Sequence, residues 1–494
     1  MRSNLVSFGA IMLATLLAAL DQTVVATALP QIVSDLQGFE HLSWVVTAYL
    51  LASTVTIPLY GKLSDLYGRR LLFMISIALF VVGSALCGAA GSMGELIAFR
   101  ALQGLGAGGL IPLAQATIAD LFSPRERGRY QGYVTSMWGI AAVAGPLVGG
   151  LLTDAISWRW IFYVNIPLGL IALLVVMRTL PRGQRTEHRI DYLGAAVLGL
   201  SITAILLASV WGGTTYPWAS PQVIGCAAGG LLGIALFVAV ERRAVEPVLP
   251  LELFRNRVFA ISVSALFVIG ALVFAISIYM PIYLQGVLGD SATMSGVTLI
   301  GFTLAWVVTA TITGNLISRT GRYRIFPIIG ASLVCLGLVL ATQFGTDTSH
   351  GVVATLMILP GIGMGLSMQA YIVGTQNAVR PAQIGVATAA LNFFRAIGGS
   401  LAVAGLGALL ANRVASELGD RLGGQAHLVN IDRVLQGGDV PARLTSATQS
   451  ALASALHSVF LVAAIVAVAG IVLAVAQEER RLRTDAPASA AKRA

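Results

Sequence analysis

The stretch LDQTVVATALP, Leu20 to Pro30, carries an acid, Asp21, inside the first long apolar run of the chain. A charge at the centre of a spanning helix costs roughly 2.5–3.5 kcal/mol on insertion scales, so an intramembrane acid marks a functional site by default. A second charge, Arg100, stands in LIAFRALQGLGAGG, Leu96 to Gly109. A guanidinium does not readily give up its proton, so Arg100 must pair, face water or snorkel. Counted from the helix ends at about 1.5 Å per residue, the two residues lie at similar depth. A nearby arginine favours the ionised carboxylate, whereas desolvation favours the protonated one. A change in exposure would then load and release a proton. Asp21 and Arg100 are therefore the expected proton-coupling pair. The competing reading makes Asp21 a fixed structural partner for a helix end.

The elements that must position this pair follow from composition. The chain has 494 residues, 56% hydrophobic and only 11% charged. A soluble domain carries about 25% charged residues, so there is too little charge here to cover a water-facing surface. A spanning helix needs roughly 20 mostly apolar residues, and fourteen such runs can be counted along the sequence. The first run is too long for the apolar region of a signal peptide and is expected to be a retained span. With the N-terminus inside, 24 of the 31 lysines and arginines fall on the inner side, five outside, and Arg100 and Arg395 within spans. That bias predicts a multi-pass protein of the cell inner (plasma) membrane with both termini cytoplasmic. It also excludes nucleic acid as a partner, because the net charge of +9 is dispersed over loops rather than gathered in one patch.

The spans repeat. Gly61, Leu63, Gly68 and Arg69 of GKLSDLYGRR superpose on Gly314, Leu316, Gly321 and Arg322 at one offset, and LQGLGAGG at Leu102 matches LPGIGMGL at Leu359. The expected architecture is all-α and polytopic: two six-helix bundles with two extra helices inserted between them. A six-helix bundle is expected over 1–180, the two-helix insert with its linkers over 181–257, a second bundle over 258–476 with an outer loop at 412–450, and a cytoplasmic tail over 477–494. Two such repeats place a substrate site between them near the bilayer midplane. The copies differ chemically: Asp65 becomes Ser318 and Arg100 becomes Met357. Ion coupling is therefore expected in the first half.

Gly61, Asp65, Gly68, Arg69 and Arg70 form a cation-rich turn, read as a cytoplasmic gate in which Asp65 pairs with arginine and caps the following helix. Gly145, Pro146, Gly149 and Gly150 combine small residues with a weakened hydrogen-bond ladder, which suits either a bending helix between moving halves or static close packing. Gln103, Trp138, Tyr279, Tyr283, Trp306, Gln376, Asn377, Asn392 and Arg395 are candidate cavity residues. For Arg395 a buried acid, an anionic ligand group and backbone carbonyls are open alternatives as partner. GLGAGG lacks the preceding strand and suitably spaced acid of a dinucleotide fingerprint. The three cysteines and five histidines are scattered without metal-ligand spacing, so neither an enzyme nor a metal or cofactor site is expected.

Taken in order, LDQTVVATALP, GKLSDLYGRR, RALQGLGAGG, AVAGPLVGG and QNAVRPAQIGVATAALNFFRAIGGS resemble the major facilitator superfamily, specifically its fourteen-helix drug:proton antiporter branch of EmrB/QacA type. Ala26 and Ala141 depart from the branch pattern. The resemblance implies the major facilitator fold and proton-coupled export of hydrophobic or cationic drugs or antibiotics by alternating access. Small lipophilic molecules, protons and membrane lipids are the implied partners, and a monomer is expected. Export of a lipid or endogenous metabolite by the same fold, or organic-solute symport, are the alternatives.

Overall fold

The computed structural model describes residues 2–36, 42–181, 191–213, 215–422 and 445–482. The backbone is helical nearly throughout, as lipid requires of segments whose N–H and C=O groups must be satisfied internally. The first half comprises α1 (Arg2–Leu36), α2 (Leu42–Tyr67), α3 (Arg69–Ala89), α4 (Met93–Leu121), α5 (Pro124–Ala155), and a sixth span broken into α6 (Trp160–Tyr163) and α7 (Asn165–Thr179). Helices α8 (Tyr192–Trp211) and α9 (Pro221–Glu241) form the insert. The second half comprises α10 (Arg257–Gly286), α11 (Ala292–Thr320), α12 (Ile325–Ala341), α13 (His350–Ala378), α14 (Ile384–Leu422) and α15 (Thr445–Ala476). Thirteen of the spans are long and apolar enough to cross a bilayer, and α12, at 17 residues, completes fourteen.

Local chemistry explains where the helices begin. Ser92 accepts from the Glu95 N–H to cap α4, and Ser123 with Glu126 forms a capping box ahead of Pro124, where the missing N–H of proline costs nothing. Gly68 and Gly321, equivalent in the sequence repeat, take φ of +88° and +70°, a region open to glycine at little strain. Leu200, Leu232 and Ile465 point outward and are mostly exposed, as expected of a lipid-facing surface.

The halves share one internal plan. In the first, α4 packs on α2 and α3, and α1 on α5; in the second, α13 packs on α11 and α12, and α10 on α14. Small residues allow this. A Cβ on Gly104 would lie 2.5 Å from the Tyr49 carbonyl, and a Cβ on its repeat partner Gly361 would overlap the Phe302 carbonyl. The halves meet through two reciprocal seams, α2 with α14 and α5 with α11. Gly61 abuts Ala389 in the first seam, and its repeat partner Gly314 abuts Gly128 in the second. The insert packs α8 on α9 and leans α8 against α2 and α14.

Three expectations need correction. The outer loop was placed at 412–450, but α14 stays helical to Leu422 and α15 begins at Thr445; positions 423–444 lie outside the described residues. Asp65 does not cap α3, whose N-cap Gly68 has no side-chain partner. It caps α14 in the other half. Gly145 does not face the seam between the halves. It lies against Thr23 of α1, while Gly128, Gly132 and Gly139 of α5 face α11. Gly149 is buried, Gly150 opens onto free space, and the side chain of Pro146 lies outside the described residues.

Candidate functional site

Three polar groups stand out against the apolar interior. The first is wholly within the first half. Asp21 on α1 and Arg100 on α4 are almost fully buried and form an ion pair, Arg100 Nη1 to Asp21 Oδ2, 2.8 Å. Gln103 donates from Nε2 to Asp21 Oδ1 at 2.8 Å, and Asn165 on α7 donates to the same oxygen at 3.2 Å. Arg100 also donates to Gln103 Oε1 at 2.7 Å and to the Val45 carbonyl at 3.2 Å, with its guanidinium 4.1 Å above the Tyr49 ring. Asn165 in turn donates to Ser84 Oγ at 3.1 Å. Five spans thus share one network, in which α4 and α7 bond the Asp21 carboxylate directly and α2 and α3 act through Arg100 and Asn165. A buried ion pair is tolerated when its remaining hydrogen-bonding capacity is satisfied, and that condition is met around Asp21. At the equivalent place in the second half stand Met357 and Phe302, both buried and apolar.

The second group lies between the halves. Asn392 of α14 donates to Gln115 Oε1 of α4 at 2.7 Å, and Gln376 of α13 donates to the Gln115 carbonyl at 3.3 Å and to Thr388 at 3.2 Å. Gln369 reaches Thr135 of α5 at 2.5 Å. This seam is polar but uncharged. The buried oxygens Gln131 Oε1, Gln369 Oε1 and Gln376 Oε1 have no protein partner, so water or a ligand must supply one.

The third group closes the bundle at the face where α1 begins and α15 ends. Asp65 Oδ1 and Oδ2 accept from the backbone N–H groups of Gly385 and Val386 at 3.0 and 2.8 Å. Arg69 bridges Asp65 at 2.5 Å and Asp120 at 2.8 Å, and also meets Ser64. Arg125 donates to the Ser318 and Arg319 carbonyls, both at 2.8 Å, and Arg127 to the Gln376 carbonyl at 3.3 Å. The bonds of Asp65, Arg125 and Arg127 join one half to the other, whereas Arg69 ties α2 to α4 within the first half. Towards the opposite face the named contacts stay within a half: α5 turns to α1 through Thr23 and Ala141, and α14 to α10 through Tyr279 and Val403.

The sequence-predicted residues therefore divide. Asp21, Arg100 and Gln103 come together, as do Gln376 and Asn392, and Gly61, Asp65, Gly68 and Arg69 gather at the closed face. Arg70 is half-buried and takes no part in that network. Tyr279 and Tyr283 are buried inside the second half, where their hydroxyls donate to the Val403 and Gly345 carbonyls at 2.8 Å. Trp138 packs on the apolar core of the first half and Trp306 on that of the second. Asn377 donates to the Arg481 carbonyl at 3.2 Å, away from the Gln115 seam. Arg395 is half-buried beside Gly270. Sequence reading overlooked Asn165, Tyr49, Ser84 and Gln115. Asn165 and Gln115 were detectable as uncharged polar residues inside apolar runs.

The chain is similar to known proteins in sequence and in fold. The Major Facilitator Superfamily profile matches residues 11–403. Multidrug resistance protein 3 of Bacillus subtilis is 33% identical over 489 residues, covering 96% of this chain and 95% of its own. Multidrug transporter protein MdtP of the same organism is 38% identical over 414 residues, covering 83% of this chain and 76% of its own. An uncharacterized MFS-type transporter of Mycobacterium tuberculosis is 38% identical over 480 residues, covering 97% and 70%. Among solved structures, the proton:xylose symporter XylE superposes with a TM-score of 0.62 at 15% identity over 99% of both chains, a likeness of fold alone.

Proposed function

The chain belongs to the Major Facilitator Superfamily, whose members are transporters and not enzymes, and from that premise we propose that it is a proton-coupled efflux antiporter exporting lipophilic small molecules by alternating access. The observation that carries the reading is the buried Asp21–Arg100 pair with Gln103 and Asn165 around it. Asp21 is the titratable group at mid-span. It has a fixed cation on one oxygen and amide donors on the other. Rotation of α1 against α4 that opened Asp21 to the acidic side would let a proton replace Arg100 as its partner. The return movement would re-form the pair and release the proton on the other side. Such a cycle turns a proton gradient into a conformational bias.

The relatives named as multidrug transporters support export of drugs, hydrophobic or cationic, by this chain too. We place it in the plasma membrane with both termini cytoplasmic, supported by the arginine-rich loops on the face closed by Asp65, Arg125 and Arg127. On that orientation the contacts described above belong to a state closed to the cytoplasm. Asp65, Arg125 and Arg127 hold the bonds that would break when it opens inward, with Arg69 bracing Asp65 from within the first half. The resemblance to the fourteen-helix branch fits α8 and α9 beside the α2–α14 seam.

The test is proton-gradient-driven uptake of a lipophilic cationic dye by proteoliposomes, wild type against Asp21→Asn, with folding and insertion verified for both. Loss of gradient-driven movement in the variant supports the proposal. Full coupled transport by the variant would move the coupling site elsewhere. If the intact wild type moves no dye, a lipid or endogenous metabolite becomes the substrate to test.

A further inference from the structure

Arg395 stands eleven residues into α14, which at 1.5 Å per residue is about 16 Å from the closed face, the middle of a bilayer core about 30 Å thick. A side chain at that depth cannot snorkel to either surface. Residues three, four and seven apart share a helix face, so Arg395 lies on the side of α14 that carries Thr388 and Asn392. Asn392 meets Gln115 of the first half there, while the Arg395 backbone and, one turn on, Gly398 and Gly399 pack on α10, so Arg395 stands where α14 passes from the seam to its own half. Arg395 is one turn farther from the closed face, beyond the last polar bond of the seam.

Its charge is unmatched. Among the described residues Arg395 makes no hydrogen bond or ion pair, and its Nε is buried without a partner. The acid at comparable depth is Asp21, whose oxygens are taken by Arg100, Gln103 and Asn165. The other described acids of the spans, among them Asp65, Glu95, Asp120 and Glu241, lie near helix ends. The interior therefore holds one paired cation and one unpaired cation. A guanidinium in low dielectric is retained at that depth when something anionic meets it, and its planar fork suits a carboxylate, sulfonate or phosphate. No backbone carbonyl of α10 serves instead, although Gly270 brings α10 close to the Arg395 backbone.

We propose that Arg395 is an anion-recognising residue of the transport cavity, and that the molecules carried include lipophilic anions or zwitterions bearing a carboxylate, sulfonate or phosphate. This rests on the transporter reading above and extends its substrate class beyond hydrophobic compounds and cations. Asp21 is paired with Arg100, so Arg395 is the unpaired mid-span charge that a substrate between the halves would meet. The positive charge persists whatever the proton occupancy of Asp21, so anion binding should vary little with the state of the coupling site.

The test is equilibrium binding, which needs no gradient and so fails or succeeds independently of proton coupling. The full chain in nanodiscs is titrated with 8-anilinonaphthalene-1-sulfonate and with tetraphenylphosphonium, each corrected against empty nanodiscs. The sulfonate is expected to bind the wild type, to weaken about tenfold or more in Arg395→Gln, and to recover in part in Arg395→Lys, because a charge-assisted bond is lost and a point charge restores only some of it. Tetraphenylphosphonium binding is expected to stay within about twofold, since it gains nothing from Arg395. If the sulfonate does not bind the wild type, or binds Arg395→Gln equally well, or if both probes weaken together, the proposal fails. Should Arg395→Gln not fold, phenylglyoxal labelling of Arg395 in the wild type decides the matter. Protection by the sulfonate and not by tetraphenylphosphonium supports the assignment, and equal labelling with and without the sulfonate refutes it.

Discussion

The carboxylate of Asp65 and the backbone N–H of Val386 meet at 2.8 Å although 320 residues and more separate them in the chain. Asp65 acts as an N-cap for α14 across the α2–α14 seam, with Gly385 satisfying its second oxygen. A helix N-terminus exposes unpaired donors and positive charge, so the contact joins the halves while repairing a helix end. An N-cap is worth about 0.5–2 kcal/mol, and one to two kcal/mol moves an equilibrium by a factor of about 5–30. Asp65→Ala is expected to shift the population by that order towards a form open at the closed face. Spin labels placed on the adjoining ends of α2 and α14, read by pulsed electron resonance, would report a new longer distance. An unchanged distance distribution would mean that Asp65 serves α2 and α14 structurally but does not latch them.

Gly314 and Gly128 set the spacing of the other seam. A Cβ on either would overlap the backbone of its partner helix, with Gly128 O the nearest atom to one and Gly314 O, at 2.7 Å, to the other. Gly314→Val is therefore expected to hold α5 and α11 apart. Transport should fall by at least about tenfold, or about 1.4 kcal/mol, while the helical content and membrane insertion of the variant persist. Gly150→Val is the control, because nothing lies within 4 Å of a Cβ there. Equal transport by both variants in proteoliposomes would show that close approach of α5 and α11 is dispensable.

The ion pair between Arg380 and Glu252 makes a useful contrast. Both side chains are well exposed, at 71% and 57%. Exposed pairs contribute about 0–1 kcal/mol, so Glu252→Ala is expected to leave thermal stability and transport within experimental scatter. A shift in melting temperature as large as that of Asp65→Ala would reveal the linker between α9 and α10 as a structural strap.

What could be read in the sequence, and what could not, follows from the solvent. Spans are legible in lipid because each must be long and apolar, and repeats because glycines at touching positions cannot be replaced freely. Gly68 and Gly321 show this at the level of a single dihedral angle. Depth is legible too, which is how Asp21 and Arg100 were matched across 79 residues. Facing is not. A spanning helix is apolar both towards lipid and towards its neighbours, so periodicity does not say which side is buried. Tyr279 and Tyr283 were accordingly expected in the cavity, yet they lie inside the second half. The same ambiguity hid Asn165 and Gln115. The destination of Asp65 was hidden for another reason: its nearest helix end in sequence belongs to α3, whereas the one that needs its carboxylate belongs to α14.

The buried Asp21–Arg100 pair bears on stability and, on the proposed function, on coupling, and the two can be separated. Removing one member of a buried ion pair leaves the other charged and unmatched, at a cost of about 3–5 kcal/mol, whereas replacing both by neutral groups of similar shape is often nearly neutral. Asp21→Ala and Arg100→Ala should each lower unfolding stability by that order, with Arg100→Ala also losing the Val45 carbonyl bond and the contact with Tyr49. The double variant Asp21→Asn, Arg100→Gln should regain most of it, since Gln103 and Asn165 can still find amide partners. Gradient-driven transport should not return with the stability, because among the described residues no carboxylate then remains at that depth. Detergent melting curves and proteoliposome transport on the same preparations make the comparison. A double variant that is stable and still coupled to the gradient would leave Asp21 and Arg100 as a structural tie between α1 and α4, with the proton carried by another group.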